Sequence, residues 1–339
     1  MKGRNDMKII LDAFGGDNAP LCVLQGARAA IDEYDVDILL CGDEEKIRQC
    51  AADNGISLER MSIKHAPCVM DMHEDPNTII KSNSDTSLAV ALYALANGEG
   101  DACISAGSTG AVLFGATFIE KRIKGIKRPA IGTVMPGTQK PYMLIDAGAN
   151  LNCRPEMLKQ FALLGSAYMK KVMGIDNPSV GLLNNGVEDT KGGEVLVETY
   201  QLLKNSNLNF IGNVEAREVP KGACDVLVAD GFAGNIVLKL TEGVASEFMG
   251  LFKGILTKNL KTKLAAAMIM PGLKEMKKLM DYTEYGAAPI IGIRKPVFKA
   301  HGSSNAKAIK SAVRQAKTFV QNGVIDEVIA AMEQNTAQE

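Results

Sequence analysis

Several features are missing from these 339 residues, and each absence narrows the reading. No apolar run reaches the roughly 20 residues that a membrane-spanning helix needs. The apolar stretch at 7–11 stops at Asp12, too short for the core of a secretion signal. The seven cysteines, at 22, 41, 50, 68, 103, 153 and 224, are odd in number and scattered, with no Cys-x-x-Cys pair. They indicate neither a disulfide framework nor a zinc site, and they fit a reducing cytosol. A net charge of -1 gives no global attraction to nucleic acid. Gly-x-Gly-x-x-Gly, Gly-x-Ser-x-Gly and His-Glu-x-x-His are all absent. Gly181-Leu182-Leu183-Asn184-Asn185-Gly186 has the glycine spacing of a nucleotide loop but runs into Val187-Glu188, where Lys-Ser or Lys-Thr would be required. No dense carboxylate cluster suggests a metal, so Asp12, Asp17 and Asp146 read as residues that hold loops.

What is present is an α/β rhythm. With 46% hydrophobic and 23% charged residues the chain is globular, long enough for one large α/β unit or two lobes. Strands are predicted at 8–11, 36–41, 61–65, 102–105, 130–134, 142–146, 179–183, 208–212 and from Val226. Helices are predicted from Pro20 to Tyr34, from Asp43 to about Asn54, up to about Gly98, from Pro155, over 193–204 and over 306–321. The alternation argues for a mostly parallel sheet. Pro136-Gly137-Thr138 reads as a hairpin between two of the strands. With no linker or low-complexity tract, the expectation is one catalytic unit over 1–339, any lobes being interleaved. Residues 246–280 change character. Phe248, Leu251, Phe252, Ile255 and Leu256 recur at helical spacing, 264–270 is apolar, and Pro271-Gly272 reads as a break, which predicts an amphipathic helical hairpin. Seven lysines between 253 and 278, among them Lys261, Lys263 and Lys274, face only Glu275 over that span. Such a segment suits anionic lipid or an acidic protein, or equally a helix pair with a solvated lysine face.

Strand, small-residue loop and helix recur along the chain. Val226-Leu227-Val228-Ala229-Asp230-Gly231-Phe232-Ala233-Gly234-Asn235 reads as a strand, a tight loop and Asn235 as the cap of an apolar helix, with Asp230 at the strand end. Asp12-Ala13-Phe14-Gly15-Gly16-Asp17, Ser105-Ala106-Gly107-Ser108-Thr109-Gly110 and Asp146-Ala147-Gly148-Ala149-Asn150 repeat the theme. In a parallel sheet such loops gather at the strand C-termini, where α/β proteins bind ligands. Backbone N–H groups with Ser108, Thr109, Asn184, Lys191 and His301 would form an oxyanion or phosphate cradle.

Those loops, with Gly181-Leu182-Leu183-Asn184, Tyr285-Gly286-Ala287-Ala288-Pro289 and His301-Gly302-Ser303-Ser304, occur in order over nearly the whole chain. Together they resemble the bacterial phosphate acyltransferase family of phospholipid synthesis, which makes acyl phosphate from acyl-acyl carrier protein and inorganic phosphate. Phe14, Ser108 and Ala287 depart from the family pattern, which has Met, Asn and Gly there. The resemblance implies a three-layer α/β fold like the isocitrate and isopropylmalate dehydrogenases without their nucleotide, with a protruding helical hairpin; no cofactor or metal; and a homodimer in the cytoplasm. It implies contact with the anionic inner face of the membrane or with the acidic acyl carrier protein through Lys261, Lys263, Met268, Ile269, Met270 and Lys274, and peripheral contact with a downstream membrane glycerol-phosphate acyltransferase. On that resemblance phosphate and thioester are expected against Ser105, Gly107, Ser108, Thr109, Gly110, Asn150, Asn184, Gly234, Asn235 and Ser303, with Lys191, Asp230 and His301 catalytic. His301 would stabilise the oxyanion or protonate the leaving thiolate. Two rival classes are a dehydrogenase-like oxidoreductase, tested by NADH titration, and a non-enzymatic protein binding phosphate or the carrier, tested by turnover.

Overall fold

A computed structural model describes residues 7–279 and 286–336, with the backbone alone at 271, 273–279 and 336. The chain forms two compact units: 1–133, 167–176 and 283–339 make the first, and 134–166 with 177–282 the second. Each unit is therefore assembled from segments distant in sequence.

In the first unit β1 (Lys8–Asp12) leads to α1 (Leu21–Tyr34), β2 (Asp37–Gly42), α2 (Glu44–Asp53) and β3 (Met61–His65). Next come α3 (Ser87–Ala96), β4 (Ala102–Ser105), α4 (Thr109–Gly115) and β5 (Ala130–Met135). Hydrophobic residues fill the first two strands at near-continuous spacing, as strands covered on both faces require: Ile9, Ile10, Ile38 and Leu40 are all fully buried. Asp43 caps α2 by accepting the Lys46 N–H, and Thr86 caps α3 by accepting the Ala89 N–H.

The second unit contains β6 (Tyr142–Ile145), and α5 (Pro155–Met173) starts there and ends in the first. It continues with β7 (Ser179–Asn184), α6 (Glu194–Lys204), β8 (Asn209–Glu215), β9 (Val226–Val228), α7 (Gly231–Thr257) and α8 (Leu260–Leu279). The chain then returns to the first unit with β10 (Ala287–Ile291), β11 (Val297–Ala300), α9 (Ala306–Gln321) and α10 (Val324–Thr336).

The strands of the first unit lie in the order β3-β2-β1-β4-β11-β10-β5, all parallel except β10, which is antiparallel to both neighbours. Those of the second run β6-β9-β7-β8 and are all parallel. The parallel register places the ends of β1, β4 and β11 together in one unit, and those of β6, β7 and β9 together in the other. α9 packs against α1 where Gly26 removes a side chain: a Cβ there would sit 2.6 Å from that of Ile309.

Two sequence expectations about helices are corrected. The helix after β9 starts at Gly231 with Asp230 as its cap, not at Asn235. The predicted break at Pro271-Gly272 does not occur, because α8 continues through both residues. The chain turns instead at Lys258-Asn259, where Asn259 Oδ1 accepts the Thr262 N–H and Thr262 Oγ1 accepts the Asn259 N–H, both at 3.0 Å. This reciprocal pair is a capping box and starts a new helix. Strands β10 and β11 and helix α10 were not anticipated from the sequence. Tyr285 of the predicted Tyr-Gly-Ala-Ala-Pro motif lies outside the described residues.

Candidate active site

In the first unit three loops meet at the carboxyl ends of β1, β4 and β11. Asp12 is buried and accepts the Ser105 hydroxyl at 2.6 Å, and Ser105 Oγ in turn accepts the Gly107 N–H at 3.0 Å. Burial pushes the Asp12 carboxyl above its ordinary value, against the opposing hydrogen bonds of Ser105 and Ser87. Gly15 and Gly16 are required by packing. A Cβ on Gly15 would lie 2.6 Å from Asp12 Oδ2, and one on Gly16, at φ +95°, would lie 2.8 Å from Gly302 O and 2.9 Å from Ala106 Cβ. The Asp17 N–H donates to Gly302 O at 2.8 Å, and Asn18 Nδ2 donates to Ser304 O at 3.2 Å, tying the first loop to the loop after β11. In that loop His301 Nδ1 lies 2.8 Å from Ser303 Oγ and accepts the Ser303 N–H at 3.3 Å. With Nδ1 accepting, the neutral ring carries its proton on Nε2 as a donor. Ser108 and Gly110 are half-buried and Thr109 is exposed. Asp12, Phe14, Asp17, Met72, Gly107 and Ser108 are among the residues lining a cavity of about 260 Å³ here.

The second unit repeats the arrangement with different side chains. Asp146, fully buried, accepts the N–H groups of Gly148 (3.3 Å), Ala149 (3.0 Å) and Asn150 (2.6 Å), and Asn150 Nδ2 at 2.9 Å. This carboxylate holds its loop, as the sequence suggested. Asp230 accepts the Ala233 N–H at 2.7 Å, and the Gly231 N–H donates to Asn150 O at 2.7 Å. A Cβ on Gly234 would fall 1.9 Å from Asp146 O, so the glycines that looked like loop glycines let the first turn of α7 press onto the 146–150 backbone. Asn235 is exposed in the second turn, its side chain 3.5 Å from where a Gly148 Cβ would sit, and Phe232 is 62% exposed. Asn184 is turned into its own loop, donating to Lys191 O at 3.0 Å and accepting the Asn185 N–H at 2.8 Å. Lys191 is exposed at the end of that loop.

The expected residues thus fall into two groups. Ser105, Gly107, Ser108, Thr109, Gly110, His301 and Ser303 share the strand ends of the first unit. Asn150, Asn184, Lys191, Asp230, Gly234 and Asn235 share those of the second. On α8, Lys261, Lys263, Met268, Ile269 and Met270 are exposed, while the side chain of Lys274 lies outside the described residues. In the sequence, Met72 and Ser87 stand out only as the ends of a polar stretch, 72–76 and 81–87, that could cap the next helix or line a pocket; both line this cavity. The neighbouring lip residues Val69, Met70 and Asp71, which reach the first loops through contacts remote in sequence, were missed.

No nucleophile stands ready. Burial pushes Cys153 and Cys224 up to about 12 and raises Cys41 and Cys103 well above the ordinary thiol value, so none of these thiols supplies a thiolate near neutrality. Ser105 and Ser87, both bonded to the Asp12 carboxyl, are each 1% exposed. Among the described residues no group of His, Cys, Asp and Glu could hold a metal ion.

Residues 7–327 match the family described as "Fatty acid synthesis protein". The chain is 46% identical over 323 residues to the phosphate acyltransferase of Acetivibrio thermocellus, covering 95% of each chain. It is 44% identical over 320 residues to that of Bacillus licheniformis, covering 94% of this chain and 96% of the relative. Among solved structures it resembles a phosphotransacetylase from Streptococcus pyogenes (TM-score 0.62, 18% identity, 93% and 94% coverage). It also resembles the EutD phosphotransacetylase from Staphylococcus aureus (TM-score 0.60, 16% identity, 94% of each chain). At those identities the structural likeness establishes a mixed, mostly parallel α/β fold.

Proposed function

The chain belongs to this fatty acid synthesis family of phosphate acyltransferases, and on that premise we propose that it takes its acyl group from acyl-acyl carrier protein and hands it directly to inorganic phosphate. Acyl transfer to phosphate is the family's activity; the carrier donor and the residue roles are our reading. A phosphate oxygen attacks the thioester carbonyl carbon, the new C–O bond forms as the C–S bond breaks, and the carrier leaves as a thiolate that takes up a proton. A thioester is already activated, so positioning and oxyanion stabilisation supply most of the acceleration. His301 Nε2–H is the donor to the oxyanion or the leaving sulfur. Lys191 and Asn235 serve phosphate, with Asn150, Asn184 and Gly234 shaping the loops around them, while the backbone of 105–110 and Ser303 serve the thioester. Asp230 acts through the start of α7, whose N–H it caps.

The observation that carries this reading is the His301–Ser303 pair: where Nδ1 accepts from Ser303, the ring proton stands on Nε2 and is the one available for transfer. The lack of an activated cysteine or serine favours direct attack over an acyl-enzyme.

The finer architecture is read as that of the isocitrate and isopropylmalate dehydrogenases, supported by the single antiparallel strand β10 within a parallel sheet. We read the enzyme as a cytoplasmic homodimer, because Phe232, Ile236, Leu240, Val244, Phe248 and Ile255 form an exposed apolar stripe along α7. The α8 segment with Lys261, Lys263, Met268, Ile269, Met270 and Lys274 is its contact with anionic membrane or the acidic carrier. There a membrane glycerol-phosphate acyltransferase would consume the product. The donor is tested by following release of the carrier thiol from acyl-acyl carrier protein. Release that requires phosphate supports the reading, and phosphate-independent release or none rejects it.

A further inference from the structure

The cavity in the first unit does not have the chemistry of a phosphate site. Its rim and floor carry three carboxylates, Asp12, Asp17 and Asp71, and none of its lining residues is cationic. A phosphate dianion placed there would meet like charge with no compensating partner. Besides Ser87, Ser108 and the glycines, the rest of the wall is apolar: Phe14, Val69, Met70, Met72 and Leu88 line it. Phe14 is seated firmly, because Gly42 has no side chain and its α-carbon faces the ring; a Cβ on Gly42 would lie 2.4 Å from Cδ2. Across from it Val69 and Met72 are 53% and 52% exposed, apolar groups left in water beside acids. Their segment is pinned at one side, where Cys68 pairs with Thr86 and Cys68 O accepts the Ser87 N–H at 2.9 Å. The tip of Met72 comes within 3.6 Å of a Cβ built on Gly302, next to His301.

Resting on the acyl-transfer reading, we propose that this cavity receives the acyl thioester arm of the donor, with the methylenes next to the thioester against Phe14, Val69, Met72 and Leu88, and that phosphate binds elsewhere. The arm's amide N–H groups suit the carboxylates at the rim, and a flexible methionine lip adapts to chains of different shape. At about 30 Å³ for a water-sized volume, 260 Å³ houses a short length of chain and leaves the rest of a long acyl group outside.

The test uses the full chain with Val69→Trp and Met72→Trp, both at exposed positions, their folding checked by thermal melting. Binding of an S-alkyl pantetheine thioether, which cannot react, is measured alongside the KM values for octanoyl and palmitoyl donors and for phosphate. The expected result is roughly tenfold weaker thioether binding and a similar rise in donor KM, with phosphate KM unchanged. Unchanged thioether binding in both folded variants overturns the proposal, as does a rise confined to phosphate KM. A wild-type protein that binds the thioether yet gives no phosphate-dependent product would instead reject the acyl-transfer reading and leave the cavity assignment standing.

Discussion

Two buried carboxyls show how single residues set the stability of this enzyme, and in opposite directions. Asp225 accepts Ser179 N–H (2.8 Å), Ser179 Oγ (2.5 Å) and Lys140 Nζ (2.6 Å). Burial pushes its carboxyl up, but the Lys140 and Ser179 bonds outweigh that and hold it below the ordinary value. A depressed carboxyl contributes stability above its unfolded pKa and loses it as pH falls through the folded one. Asp225→Asn is therefore expected to cost about 2 kcal/mol in urea unfolding at neutral pH, after allowing for the partly exposed lysine, with the difference shrinking in acid. Glu120 is the reverse. It is 5% exposed, one oxygen has no hydrogen-bond partner, and burial pushes it up to about 7 against the nearby Lys295. The folded state then holds the proton more firmly than the unfolded chain, so this residue's contribution falls as pH rises from about 4.3 to about 7 and is flat above. Glu120→Gln should raise stability at pH 8 by about 1–3 kcal/mol and leave it nearly unchanged at pH 4. At the site, His301→Ala is expected to lower kcat roughly a hundredfold with phosphate KM within about twofold, measured by steady-state kinetics. A near wild-type kcat would remove His301 from the chemistry. These roles differ in legibility. His301 was visible as a rare histidine in a Gly-Ser-Ser turn, whereas the pairing of Asp12 with Ser105 spans 93 positions and no local pattern carries it.

At the scale of elements, α7 shows where reading by residue type succeeds and where it misleads. Asp-Gly-Phe-Ala-Gly has the composition of a loop, yet Asp230 caps and Gly231 and Gly234 open the helix, because what they serve is close backbone packing on Asp146 and Asn150. Gly234→Ala should accordingly destabilise the protein by more than 2 kcal/mol, about the limit for overpacking where the obstacle is a backbone carbonyl; a change in urea midpoint within error would contradict this. Strong periodicity read well: β3, β4 and α9 lie at the predicted residues. Elements of weak periodicity did not, since β10 and β11 are short strands defined by their neighbours β5 and β4. Pro271-Gly272 looked like a stop, but the Asn259–Thr262 capping box sets the turn. On α8, Met268 is 84% exposed. Met268→Asp or Ile269→Asp is expected to abolish flotation with anionic liposomes while leaving turnover on soluble donor intact; persistent flotation would show that this segment is not the anchor.

For the whole molecule, each unit brings the ends of parallel strands to one edge and holds the loops there with a buried aspartate, Asp12 in one and Asp146 in the other. The repetition of strand, small-residue loop and helix made this much legible from sequence, along with the family to which the chain belongs. The division of the chain into two units is set by contacts between distant segments and could be anticipated only as an interleaving. No helix among the described residues is long and apolar enough to cross a membrane. The central claim is that phosphate itself accepts the acyl group. Incubating the enzyme with acyl-acyl carrier protein and phosphate, then adding hydroxylamine to trap acyl phosphate, tests it most directly. The account predicts acyl hydroxamate that forms in proportion to enzyme and only with phosphate present. Hydroxamate yield independent of phosphate, or no hydroxamate above the enzyme-free control, would contradict it.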